Sequence, residues 1–251
     1  MTWAAGSIDL IGYLALYGLY TANMSGNTIA MGHHAAELQW YGFARYGWAV
    51  TTFIVGLLAG AFLVDAEKRA VLRLPFPATL ALEAALILSF LVLSIGVHTG
   101  AEIPPQPAFK FYGMVASLTV AMGLQNVTIR RVGGMNVYTT FVTGSLVKFG
   151  EALAAYLFWA RDRLRHHSSR RICRVLKVSR RHPQAKQAAL AATLWLSYLG
   201  GAIGGGFLTR RWNLLGLIAP FVIIMVITIY ATIWPFLDQL DENDAFRARV
   251  D

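Results

Sequence analysis

Apolar residues in this chain come in long unbroken runs, without the alternation of a strand or the one-sided stripe of a soluble helix. Runs bounded by charge or by Pro and Gly span Tyr13–Ala35, Tyr46–Val64, Pro77–Val97, Phe111–Ile129, Val137–Ala160, Ala188–Leu208 and Asn213–Leu237. A bilayer crossing takes about 20 mostly apolar residues, so the pattern predicts an all-α polytopic membrane protein of six to seven spans. The first and fifth runs are interrupted by polar residues and are expected to be broken or re-entrant. In the first, Asn23, Ser25, Gly26, Asn27 and Thr28 crowd together. Such groups are costly in hydrocarbon unless partnered, so they must face protein, water or a ligand.

The interrupted run has a counterpart half a chain later. Gly6–Asp9 (GSID) precedes Met24–Thr28 (MSGNT), and Gly123–Asn126 (GLQN) precedes Val142–Leu146 (VTGSL). Asp9 and Asn126 lie 117 positions apart, Gly26 and Gly144 lie 118 apart, and GLLAGAFL at Gly56 resembles GAIGGGFL at Gly201 in the same order. Matches kept in order are the mark of a duplicated unit. The chain therefore reads as two related halves, 1–109 and 110–237, with a basic loop over 161–187 in the second and a polar tail over 238–251. The element before Asp9 is too short to cross a bilayer, so the first half is expected to begin with a truncated span. Four crossings per half would make the repeats parallel; one re-entrant element in each would make them inverted.

The succession AGSIDLIGYL, TANMSGNTIAMG, AMGLQNVTIRR and TTFVTGSLVKFGEAL resembles the YoaK-type family of bacterial multi-spanning membrane proteins, a family of unknown function. The resemblance runs from Ala5 to about Phe236. It implies a location in the bacterial inner (plasma) membrane and supplies no activity. Members of that family typically carry a full apolar span before Gly-x-x-Asp, most of which this sequence lacks.

Composition agrees with the pattern: 56% of the 251 residues are hydrophobic, 14% are charged and mean hydropathy is +0.51. The net charge of +9 is concentrated in Arg161–Lys186, where ten Lys or Arg face one acid. Between two spans such a loop is a cytoplasmic topology signal beside anionic lipid, so the expected partner is the bilayer and not nucleic acid. Cys173 is the sole cysteine, which excludes a disulfide framework. No phosphate-binding Gly-rich loop with Lys is present, and His33, His34 and Glu37 lack a further ligand nearby. The sequence thus calls for no cofactor, no metal and no catalytic residue, and the chain is expected not to be an enzyme.

Polar breaks at matching places in two halves point to a transport site at the midplane. The expected substrate- or ion-binding residues are Asp9, Ser25, Gly26, Asn27, Gln125, Asn126, Thr143, Gly144 and Ser145. Asp9 is the sharpest, as a carboxylate in a span costs about 2.5–3.5 kcal/mol on insertion scales. Glu83, deep in an apolar run, is the proton-coupling candidate. Lys148 and Glu151 stand at the spacing of a self-neutralising pair, and Arg130 and Arg131 are expected to anchor at the interface. Gly56 with Gly60, Gly200 with Gly204 and Gly201 with Gly205 form Gly-x-x-x-Gly faces for close helix packing, between halves or between copies in a homo-oligomer. Pro220 is an expected kink. The function expected is a small secondary transporter or permease for a small polar solute or ion, working by alternating access; the alternative is a non-transporting scaffold or regulatory subunit.

Overall fold

The computed structural model describes residues 1–68, 75–97, 109–128, 142–165 and 182–233. They form α1 (Thr2–Ala15), α2 (Met24–Ala36), α3 (Trp40–Lys68), α4 (Pro75–Leu93), α5 (Phe109–Thr128), α6 (Val142–Arg165), α7 (Pro183–Trp212) and α8 (Ile218–Ile233), with a short 3-10 turn at Asn213–Leu217 and no strand among the described residues. At 1.5 Å per residue α3 is about 43 Å long, whereas α1 and α2 reach only about 21 and 20 Å. The stretches Trp40–Ala66 and Pro183–Ile233 are long and apolar enough to cross a bilayer. The second is bent where Asn213 takes a φ of 53° and the following turn folds back over Leu208 and Thr209.

Apolar side chains fill the core, where Ile8, Phe90, Leu118 and Met122 are fully buried, and also cover the surface. On α7, Leu196, Leu199, Ile203 and Phe207 are exposed, while Gly201, Gly205 and Thr209 are buried. On α8, Val222, Val226 and Ile229 face outward and Thr228 inward. Ser7, Asp9, Asn27, Thr52, Glu83, Thr119, Gln125 and Asn126 all lie in the interior. Large apolar groups on the surface together with buried polar groups suit hydrocarbon as the solvent, because lipid gives apolar side chains no reason to hide and polar ones every reason to. The protein is a polytopic helical membrane protein.

The apolar run Tyr13–Ala35 is broken, as its polar interruption implies: α1 ends at Ala15 and α2 begins at Met24. Tyr17 and Gly18 take φ of 55° and 83°, which ends α1, and the chain doubles back so that Thr21 and Ala22 lie beside Asp9 in the middle of α1. Gly-x-x-Asp is therefore mid-helix, not at a helix end. From this depth α2 runs back the way the chain came: Met31 lies beside Gly47, and His34 beside Gly42 near the start of α3. A chain that dips in and returns to the same end is re-entrant.

Helix directions follow from paired contacts. Tyr17 meets Phe111, their ring centroids 6.0 Å apart, and Gly12 faces Leu118, so α1 and α5 are antiparallel. Trp3 meets Gly201 and Ser7 meets Gly205, so α1 and α7 are parallel; Val120 meets Gly56 and Leu124 meets Gly60, so α3 and α5 are parallel. Trp159 packs 4.3 Å from His182, centroid to centroid, bringing the end of α6 to the start of α7. The ends of α3, α5 and α6 and the start of α7 therefore share one end of the molecule. Arg130, Arg131, Cys173, most of the loop Arg161–Lys186 and the tail 238–251 lie outside the described residues.

Candidate functional site

Asp9 holds the re-entrant turn by its side chain. Its Oδ1 accepts the Thr21 backbone N–H (2.8 Å), the Thr21 hydroxyl (2.8 Å) and the Ala22 N–H (2.9 Å). Its Oδ2 accepts the Tyr198 hydroxyl of α7 at 2.5 Å. A helix interior has no spare backbone partners for a turn folded beside it, and a carboxylate supplies acceptors without adding a donor to satisfy. Asn27 completes the turn: its amide donates to the Tyr20 carbonyl (2.8 Å) and its oxygen accepts the Tyr20 N–H (3.0 Å). An amide can serve one residue's N–H and C=O together, as a neighbouring strand would. Asn23 caps α2, accepting Gly26 N–H and the Ser25 hydroxyl.

Above this turn lies a cavity of about 800 Å³. Asp9, Tyr20, Asn23 and Ser25 line it from the first half, together with Phe53 and Leu57 of α3. Asn126 and Val127 of α5, Val142 and Thr143 of α6 and Tyr198 of α7 close it from the second. Both Gly-x-x-Asp/Asn motifs and the first residues of both polar breaks thus meet at one space. Of the nine expected binding residues, Asp9, Ser25, Asn126 and Thr143 line it. Asn27 is buried against the Tyr20 backbone, Gly144 is buried, and Gly26 and Ser145 are half-buried away from the wall. Gln125 points elsewhere: its amide donates to Glu83 at 2.7 Å in a fully buried α4–α5 contact, and its carbonyl oxygen meets no donor among the described residues.

The packing glycines make reciprocal contacts. A Cβ on Gly6 would run into the Tyr198 carbonyl and one on Gly201 into the Trp3 carbonyl; one on Gly123 would meet the Phe53 carbonyl and one on Gly56 the Val120 carbonyl. Gly60 and Gly205 abut the backbones of Leu124 and Ser7 one turn further on. Gly200 and Gly204 face only the Trp3 ring, so the close approach belongs to Gly201 and Gly205. The first member of each partner pair lies 117 positions before its counterpart on α5, and each α3 residue 145 before its counterpart on α7.

Several participants were not read from the sequence. Tyr20, Phe53 and Tyr198 looked like ordinary aromatics of apolar runs, and only their register beside the glycines marks them. Arg45, just outside the run beginning at Tyr46, is buried: it donates to the Tyr17 carbonyl (3.4 Å) and lies 5.4 Å from the Phe111 ring centre. His33 and Glu37 pair at 3.5 Å on the exposed surface, and no group of three metal-ligating side chains occurs among the described residues. Lys148 and Glu151 are exposed on α6.

The comparisons with known proteins are in keeping with this architecture. The UPF0700 transmembrane protein YoaK of Bacillus subtilis (strain 168) is 26% identical over 159 residues, which is 63% of this chain and 67% of the relative. No solved structure matches. The model of a family described as protein of unknown function (DUF1275) matches residues 1–230, and the chain belongs to that family.

Proposed function

We propose that this protein is a small secondary transporter or permease of the bacterial inner membrane, moving a small polar solute by alternating access. The observation that carries the reading is the cavity of about 800 Å³ walled by matching motifs of two halves. Antiparallel α1 and α5, each bearing Gly-x-x-Asp/Asn, support inverted repeats over 1–109 and 110–237, with α2 and α6 as the half-helices that start at the site. The flat glycine crossings of α1 on α7 and α3 on α5 are the surfaces on which one half rocks against the other. Glu83, hydrogen-bonded to the residue preceding Asn126, is the proton-coupling site.

Orientation follows from charge. The ends of α3, α5 and α6 and the start of α7 share one end of the molecule, and the sequence adjoining them is rich in Lys and Arg, with Lys68, Arg69, Arg73, Arg130, Arg131 and ten basic residues in Arg161–Lys186, so we assign that end to the cytoplasm.

The test needs no knowledge of the solute. In a Cys173→Ser background, Thr143→Cys is treated with a membrane-impermeant maleimide in right-side-out and in inverted vesicles. Labelling from both faces is expected. Labelling from one face alone would point to the competing reading, a non-transporting scaffold or regulatory subunit; that reading already has Asn27 in its favour, which serves structure and not the cavity wall. Absence of labelling from either face would remove the aqueous site altogether.

A further inference from the structure

We propose that the solute carries a cationic nitrogen, a protonated amine or a quaternary ammonium, drawn by Asp9 and held among the rings of Tyr20, Phe53 and Tyr198. The inference rests on the transporter reading above and names its substrate class. The chain has 22 Lys or Arg, yet none, and no His, stands among the described residues lining the cavity. Asp9 is the one carboxylate among them, and the groups meeting it are neutral donors: two backbone N–H groups and two hydroxyls. That is the pattern of an acceptor-only carboxylate whose charge is solvated by dipoles and cancelled by no cation among the described residues. Three donors crowd Oδ1 and a single one reaches Oδ2, so Oδ2 keeps an acceptor site.

The walls match the same chemistry. Aromatic faces attract cations through their quadrupole, and more so where water is scarce. Tyr20, Phe53 and Tyr198 all line the space that Asp9 borders, so a cationic group can meet a carboxylate and rings at once. Asn126 and Thr143 of the second half, with Ser25 of the first, are neutral groups that hydrogen-bond a polar remainder of the solute. An anion would find Asp9 repulsive, with no basic side chain among the described lining residues to offset it.

The cavity's charge preference is measured on the full-length Thr143→Cys protein in the Cys173→Ser background, in detergent. Its rate of reaction with a trimethylammonium-ethyl methanethiosulfonate is compared with that of a sulfonatoethyl methanethiosulfonate, each normalised to a free thiol. The expected preference for the cationic reagent is about tenfold, the scale of one nearby charge at intermediate dielectric. It should collapse in Asp9→Asn. Because Asp9 also holds the turn, Ser25→Lys serves as the second variant: it leaves every Asp9 contact in place and should erase the preference by adding a positive charge to the wall. Equal rates, or faster reaction with the anion, overturn the cation assignment, and if the introduced thiol is still labelled from both faces of the vesicle the transporter reading stands without it. A preference that survives both Asp9→Asn and Ser25→Lys also overturns it, since the charge would then come from elsewhere. A solute arm separates the two sources of cationic nitrogen: protection of the introduced thiol by choline or by a primary alkylamine, and not by 3,3-dimethylbutanol, is expected. Equal protection by the neutral alcohol counts against the proposal.

Discussion

Two neighbouring glycines on α7 should respond oppositely to the same added methyl group. At Gly201 a Cβ would sit 2.8 Å from the Trp3 carbonyl carbon and 3.0 Å from its Cα, and closer still to the carbonyl oxygen. These are backbone atoms of a packed helix, so no side-chain rotation relieves the overlap. Separating α1 from α7 by the ångström or so required forfeits roughly a quarter to a half of each affected dispersion contact. Overpacking of this kind costs about 1–3 kcal/mol. At Gly200 the added Cβ meets only Trp3 Cδ1 at 3.8 Å, an ordinary contact, and Ala gains up to about 1 kcal/mol in helix propensity over Gly. Gly200→Ala should therefore be neutral or stabilising, and, since the propensity gain is common to both variants, Gly201→Ala should be less stable than it by roughly 1–3 kcal/mol. Unfolding in detergent micelles by heat or by rising SDS mole fraction reads the difference. Equal stability of the two variants would refute the α1–α7 backbone contact, and with it the rocking surface inferred from it.

The remaining predictions use the same unfolding assay. Gly56→Ala should match Gly201→Ala in sign and size, since its Cβ would meet the Val120 backbone; a neutral result there would break the correspondence between the α3–α5 and α1–α7 crossings. Asn27→Ala strips both partners from the Tyr20 backbone and should cost roughly 2–6 kcal/mol, at 1–3 per unsatisfied group, whereas Ser25→Ala, on an exposed hydroxyl, should cost under about 0.5. A loss of equal size in both would mean that the turn is not held by Asn27. Glu83→Leu alone leaves the Gln125 amide buried without a partner and should destabilise by about 1–3 kcal/mol; adding Gln125→Leu should recover most of that. Additive losses in the double variant would rule against a private Glu83–Gln125 contact.

The repeat and the polar breaks were legible because they are local and repeated: Gly-x-x-Asp and Ser/Thr-Gly-Asn recur in order, and a polar cluster in an apolar run demands partners. Which partners those are was not legible. Asn27 looked like a ligand-binding amide and proved to be a backbone clamp, since its bonds run to Tyr20, seven residues away, across a turn whose existence depends on positive φ at Tyr17 and Gly18. Asp9 was placed at the end of a stunted span because hydropathy counts residues and does not see a helix continuing to Ala15 before the chain reverses. Tyr198 bonds a residue 189 positions away, and a composition-neutral Tyr in an apolar run carries no signal of that. Gly200 and Gly201 fit the same Gly-x-x-x-Gly pattern, and only helix rotation distinguishes the one that touches backbone from the one that does not.

The inequality between the two motifs has a mechanical consequence under the inverted-repeat reading. If both halves carried identical chemistry, exchanging their conformations would turn the inward-open state into the outward-open one at equal energy. Here the contact of Asp9 with Tyr198 joins α1 to α7, and its counterpart would join Asn126 to Phe53, which has no hydroxyl to donate. The α1–α7 crossing is thus latched by a hydrogen bond to a carboxylate, worth about 1.5–3 kcal/mol, and the α3–α5 crossing is tied by the neutral Thr52–Thr119 hydroxyl pair (2.7 Å), worth about 0.5–1.5. A difference of about 1–1.5 kcal/mol shifts a two-state population by roughly 5- to 13-fold. The latch also ends at the oxygen assigned to the cationic solute, and a positive nitrogen beside Oδ2 draws on its negative charge and weakens the bond that Oδ2 accepts from the Tyr198 hydroxyl. Solute binding would then loosen the α1–α7 crossing and leave α3–α5 untouched, which is the differential effect on two states that alternating access requires. Tyr198→Phe removes the latch while keeping Asp9 and the ring, and so it should bring the labelling of the Thr143→Cys thiol from the two membrane faces closer to equality.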